Sequence, residues 1–259
     1  MNKDAGKVEL INVTPNALEI LIYTKSGRLA TGTTLAEIMC WKEEKKMEHL
    51  SYMMDTIKTS FEFVDYIFDV TSVSRAFTHQ VVRTRTASFQ QEAMRVVDAR
   101  DYSYLQSTDH PAYNQAFEYS LEKYAEMIDA GVPVQDARGV LGTGIHTRIF
   151  VKANLRTLSN MAELRLCKRA EGEYQGVFKK MVKNVLEIHP WAAPLLEVHC
   201  VKYGICAFPR YDKCPVQPFT LNAPKFAFEY NNARKHIRKS WEENQHVANP
   251  VANKEGMTM

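Results

Sequence analysis

Three arginines, Arg83, Arg85 and Arg95, fall within thirteen positions in HQVVRTRTASFQQEAMRVV, residues 79–97. Between them lie small, hydroxylic and amide side chains, no lysine, and one carboxylate, Glu92. A guanidinium is a rigid fork of donors that matches a phosphate or carboxylate bidentately. Such a concentration with so little internal counter-charge points to an anion supplied from outside the stretch. Further arginines follow, among them Arg138, Arg148, Arg156 and Arg165. Asn154 and Arg165 are eleven residues apart, three helical turns and roughly 20° of rotation, so a helix here puts both on one face. Leu158 and Met161 share that face, which is otherwise apolar. No carboxylate lies three or four residues from Arg165, and burying an uncompensated guanidinium costs on the order of several kcal/mol. A ligand phosphate, or a carboxylate from elsewhere, must serve it. Taken singly, Arg148 and Arg156 read as ordinary solvated arginines. Together the residues imply binding of a phosphorylated or otherwise anionic small molecule.

The rest of the chain narrows the class. Its 259 residues, 45% hydrophobic, suit one large domain or two small ones with a real core. A net charge of +3, from 33 basic and 30 acidic side chains, leaves no whole-protein footprint for polymeric nucleic acid. No apolar run nears the roughly 18 residues of a membrane helix, and MNKDAGKVEL lacks a signal peptide's apolar segment, so a cytoplasmic protein without a membrane partner is expected. The five cysteines, Cys40, Cys167, Cys200, Cys206 and Cys214, are odd in number and scattered, which argues against a disulfide framework. The last three cluster with His199, but no CxxC pair occurs, so reduced thiols outweigh a structural zinc and no metal site is assigned. Neither GxGxxG nor GxxxxGK[ST] is present, so phosphates must be met by arginines.

The elements that must position these residues are a mixture of strand and helix. KVELINV reads as a strand, followed by a turn at Pro15-Asn16 and a further strand or short helix. Residues 34–58 have one helical periodicity. FEFVDYIFDVTSV, 61–73, reads as a strand, and Ser74 caps a helix through RAFTHQVVRT. Residues 98–112 form an exposed loop. A helix follows with Phe117, Leu121, Tyr124, Ala125 and Ile128 as its stripe, ended by Gly131 and Pro133. A short helix at VQDARGVL breaks at Gly142 and Gly144 and leads to the strand IHTRIFV. Helices near 153–166, 169–188 and 191–206 complete the pattern. Residues 1–220 are read as a single domain and 221–259 as a basic, polar extension, partly disordered.

Four ordered stretches resemble the flavin-dependent thymidylate synthase family. RTRTASFQQEAMR is similar to its Arg-His-Arg signature, with Arg83 and Arg85 at the two arginines and Arg95 at the last. Gln80 falls on a glutamine one turn upstream. TSFEF, 59–63, resembles the family's Thr-x-Phe-Glu-His. GVPVQDARGVL resembles its Gly-Val-Pro-x-x-x-Ala-Arg-x-x-Leu, and Asn154 to Arg165 its Asn-x(10)-Leu-Arg helix.

The resemblance implies an α/β (α+β) fold, a central, mostly antiparallel sheet with long helices, assembled as a homotetramer with active sites between subunits. It implies synthesis of dTMP from dUMP, with FAD as cofactor and with methylene-tetrahydrofolate and NADPH as co-substrates. Thr59, Glu62, Arg83, Arg85, Asn154, Arg156 and Asn160 would surround the flavin nucleotide. Gln80, Arg95, Arg138 and Arg165 would hold the pyrimidine nucleotide, with Arg165 at the base. The chain departs from the pattern at Thr84, Gln90, Gln91, Ala93, Met94 and Arg169, and at Ile57 and Phe63. Gln91 and Ala93 stand at substrate-facing positions, where an amide replaces a carboxylate and alanine a serine. These changes keep open a relative acting on dCMP or UMP, by methylation or hydroxymethylation, and a non-catalytic nucleotide-binding homologue.

Overall fold

A computed structural model of the chain describes residues 6–56, 58–203 and 206. Cys214, Ile57 and the expected extension 221–259 lie outside the described residues.

The elements run β1 (Lys7–Val13), α1 (Ala17–Arg28), α2 (Leu35–Met39), α3 (Glu43–Thr56), β2 (Asp65–Ser74), α4 (Arg75–Val81), β3 (Ser88–Gln91), α5 (Pro111–Asp129), α6 (Val134–Ala137), β4 (His146–Asn154), α7 (Leu155–Arg165), α8 (Gly172–Ile188) and α9 (His199–Tyr203). Short 3-10 turns occupy Thr59–Phe63, Arg138–Val140 and Pro190–Leu195. The four strands form one sheet in the order β1-β2-β4-β3. It is antiparallel, as expected: Thr14 N–H bonds Asp65 O at 3.0 Å while Gly6 abuts Val73, and β3 pairs β4 with Ser88 opposite Lys152 and Gln91 opposite Ile149. Mixed α/β architecture is therefore established.

By internal contacts the described chain divides into two compact units. The first holds residues up to Glu9 and Phe68–Lys152. In it Ser74 caps α4, its Oγ accepting the Phe77 N–H at 3.0 Å, which satisfies a donor that the helix start would leave unpaired. The cap fixes where α4 begins and so which way Gln80, near its end, faces. On α5 only Tyr124 of the expected stripe is fully buried; its hydroxyl accepts the Ala99 N–H at 3.1 Å and ties the loop to the helix. The chain leaves α5 through Gly131 at φ +82°, a left-handed turn that glycine adopts without strain.

The second unit holds Leu10–Ile67 and the described chain from Ala153 on. Residues 34–58 are two helices, not one. Thr34 and Glu37 form a capping box on α2, and the chain breaks before α3. Periodicity does not show this break because each piece carries its own buried apolar residues, Ile38 in α2 and Leu50 and Met53 in α3. The expected helix at 191–206 is likewise a 3-10 turn containing Pro194, then the short α9. α8 buries Tyr174, Val177, Phe178, Met181, Val182 and Val185 at helical spacing and packs on α7. α9 is fastened to α7 by Lys202, whose Nζ donates to Ser159 Oγ at 2.7 Å and to Glu163 Oε1 at 2.9 Å. Among the described residues no helix is long and apolar enough to cross a membrane, and no group of three or more His, Cys, Asp or Glu is placed to hold a metal.

Candidate functional site

The arginine-rich stretch belongs to the first unit. Arg83 and Arg85 lie in the turn between α4 and β3, and Arg95 lies beyond β3; all three are exposed. Among the described residues none of them pairs with a carboxylate. Glu92, the one acid of the stretch, is taken elsewhere: the Tyr102 hydroxyl donates to its Oε1, and its N–H bonds Arg148 O at 3.0 Å. Burial and the bond to this carboxylate push the Tyr102 phenol up. The poor neutralisation visible in the sequence is thus real in the fold, and the donor set fits a phosphate-bearing ligand.

Gln91, at the end of β3, donates from Nε2 to Thr78 Oγ1 at 2.8 Å. Thr78 in turn donates its only hydroxyl proton to the Arg75 carbonyl at 2.9 Å. Since that proton is spent, Thr78 can only accept, which selects the amide nitrogen of Gln91 and leaves Oε1 as an acceptor not used in this contact. Gln80 is half-buried on the same helix α4 and Ala93 is exposed. Arg138 is exposed and donates from Nε to the Gln135 carbonyl at 3.1 Å.

Arg75 was not singled out in the sequence. Burial lowers its guanidinium's affinity for a proton, Arg138 acts in the same direction, and Glu92 opposes both. The charge of Arg138 thus bears on Arg75, and Glu92 offsets it in part. The available signal was an arginine in the first turn of a helix, where the macrodipole disfavours a cation.

The second unit holds the remaining candidates. Thr59 and Glu62 are exposed on the 3-10 turn before β2, and Asn160 is exposed on α7. Arg156 Nη1 donates to Glu62 Oε1 at 2.5 Å, so two residues assigned to one ligand also pair with each other. Asn154 is not on the helix face shared by Leu158 and Met161. It ends β4 and caps α7, its Oδ1 accepting the Thr157 N–H at 2.8 Å. Arg165, the last residue of α7, is half-buried, and Leu158 and Met161, expected on its face, are buried. Among the described residues its neighbour is a ring rather than a carboxylate: the guanidinium carbon lies 4.2 Å from the Tyr174 centroid. Arg148 behaves as an ordinary arginine, forked onto Asp69 at 2.9 and 2.5 Å.

Residues 9–191 match the model of the family described as thymidylate synthase complementing protein. The chain belongs to this family. A relative from Saccharolobus solfataricus is 34% identical over 195 residues, covering 71% of this chain and 74% of its own. One from Pyrococcus furiosus is 32% identical over 228 residues, covering 81% and 91%. One from Sulfurisphaera tokodaii is 29% identical over 202 residues, covering 75% and 79%. Each carries the name flavin-dependent thymidylate synthase. The matched span includes every site residue assigned from the sequence, from Thr59 to Arg165.

Proposed function

We propose that the chain is a flavin-dependent enzyme that methylates C5 of a pyrimidine nucleoside monophosphate, converting dUMP to dTMP with methylene-tetrahydrofolate and NADPH. The observation that carries this is Arg165: a half-buried guanidinium whose carbon lies 4.2 Å from the Tyr174 ring centroid and which meets no carboxylate among the described residues. A fixed cation beside the O2/N3 side of the pyrimidine stabilises the negative charge that develops there as C5 becomes nucleophilic. In the first unit, Arg95 and Arg138 are assigned to the nucleotide phosphate, with Gln80 and Gln91 as polar partners. Arg83 and Arg85 there, and Thr59, Glu62, Asn154, Arg156 and Asn160 in the second unit, are assigned to FAD. When bound, the flavin supplies the reducing equivalents; the protein's own part is binding, orientation and fixed charge. Residues 1–220 are read as one catalytic domain, acting in a homotetramer with active sites between subunits.

Gln91 supports a second reading. Its Oε1, not used in the bond to Thr78, is an acceptor, which suits an amino group at position 4 of the ring, as in cytosine, better than a carbonyl, as in uracil. dCMP is therefore the competing substrate, ahead of UMP.

The test is incubation with FAD, NADPH and methylene-tetrahydrofolate, offering dUMP, dCMP and UMP in turn and weighing the product. Formation of dTMP from dUMP alone supports the first reading; a product from dCMP alone supports the second. Protein that stays colourless when offered FAD sinks both.

A further inference from the structure

The contact that holds Arg165 comes from a residue that no motif assigns. Tyr174 lies in none of the four stretches that resemble the family. It is fully buried and among the largest fully buried side chains of the described chain. Its backbone is held as well. Glu171 caps α8, with Oε2 accepting the Tyr174 N–H at 2.8 Å and Oε1 the Glu173 N–H at 3.0 Å. The ring therefore projects from the clamped first turn of one helix onto the guanidinium at the end of the preceding one.

A guanidinium can be oriented in two ways. A carboxylate grips its N–H edge and uses up the donors that a ligand would need. An aromatic ring attracts the cation through its quadrupole and leaves the in-plane donors free. At Arg165 the second arrangement is found, with 4.2 Å between guanidinium carbon and ring centroid. The Tyr174 ring is immobile because it is buried, so it limits the rotamers open to Arg165 before any ligand arrives. Less ordering then has to occur on binding.

We propose that Tyr174 is a positioning residue: its ring presets the Arg165 guanidinium with the N–H edge directed at the pyrimidine. This rests on the reading of Arg165 as the group that meets the base.

The experiment is a double-mutant cycle read by calorimetric titration of dUMP into the full chain carrying its flavin. Tyr174→Leu removes the ring, Tyr174→Phe keeps it, and each is made with Arg165 and with Arg165→Ala. Loss of a half-buried cation–π contact weakens binding by about tenfold in the Arg165 background, and by less than about twofold once Arg165 is gone. Phenylalanine restores most of the affinity. Equal losses in both backgrounds overturn the proposal, because a ring that only fills the core acts without regard to Arg165. Should Tyr174→Leu fail to fold, a series of progressively fluorinated phenylalanines at position 174 keeps the shape while draining the ring quadrupole. Affinity that falls along the series supports the proposal, and a flat series overturns it. Failure of the unsubstituted protein to bind dUMP overturns the functional reading too, whereas binding with equal losses overturns this inference alone.

Discussion

Arg156 Nη1 and Glu62 Oε1 stand 2.5 Å apart, joining the first turn of α7 to the 3-10 turn ahead of β2. A cation in a helix's first turn opposes the macrodipole, and the carboxylate offsets it. Both side chains are close to half exposed, at 41% and 49%, so solvent screens the pair. Arg156→Ala should therefore change the unfolding free energy by only about 0–1 kcal/mol. On the proposed function it should still lower the flavin content of the purified protein. Glu62→Gln relieves Arg156 of its internal partner and should have the smaller effect. Visible absorbance per mole of protein, beside urea unfolding, separates the two quantities.

Arg165 and Arg148 are the informative contrast among the arginines. Arg148 is forked onto Asp69 on an exposed strand face, and its loss should leave turnover within about twofold and cost about 1 kcal/mol of stability or less. Arg165→Ala removes fixed charge from the place assigned to the base, a loss of about 100-fold or more in turnover if the assignment holds. Steady-state rates of the two variants with the accepted nucleotide decide the matter. Equal, small effects would mean that the helix end does not face the substrate.

Legibility in the sequence followed how local each cause was. The Ser74 cap and the stop at Gly131 rest on one or two residues each, and both stand where the sequence put them. The buried face of α7 followed from spacing alone. Three features did not. The partner of Arg165 is a ring nine residues on, and only packing of α8 on α7 brings it near. The strand Ser88–Gln91 has four residues and exists through pairing with β4, so no local pattern announces it. Asn154 was placed on the helix because eleven residues span three turns, yet its side chain is worth more as a cap at the point where strand becomes helix.

Acid should weaken the fold through three histidines. Burial lowers the affinity of His49 for a proton, and Lys25 and Lys45 act in the same direction. Burial does the same to His146 and His189, with Glu19 opposing at His189. Each group then takes up its proton more readily in the unfolded chain, whose histidines titrate near the ordinary value of about 6.5. Their contribution is fully present above that pH and declines as pH falls through it. His49 also accepts from Lys25 Nζ at 3.3 Å, a contact that protonation of the ring ends. Urea midpoints should fall between pH 7.5 and pH 5.5 (chosen at about one unit either side of 6.5), and His49→Gln should flatten the trend. An unchanged slope in that variant would remove His49 from the explanation.

Asn154 carries two separable roles. Its Oδ1 accepts the Thr157 N–H at 2.8 Å and starts α7, whereas only its amide N–H groups remain to meet a ligand. Alanine removes both, and should cost about 1 kcal/mol of stability together with flavin content. Aspartate keeps the acceptor, so the cap and the unfolding free energy should survive. Aspartate cannot donate, however, and its charge repels a phosphate. Asn154→Asp should therefore yield a protein as stable as the parent but poor in flavin. Flavin content equal to the parent's would leave capping as the residue's whole contribution, and would move the flavin assignment on α7 to Arg156 and Asn160.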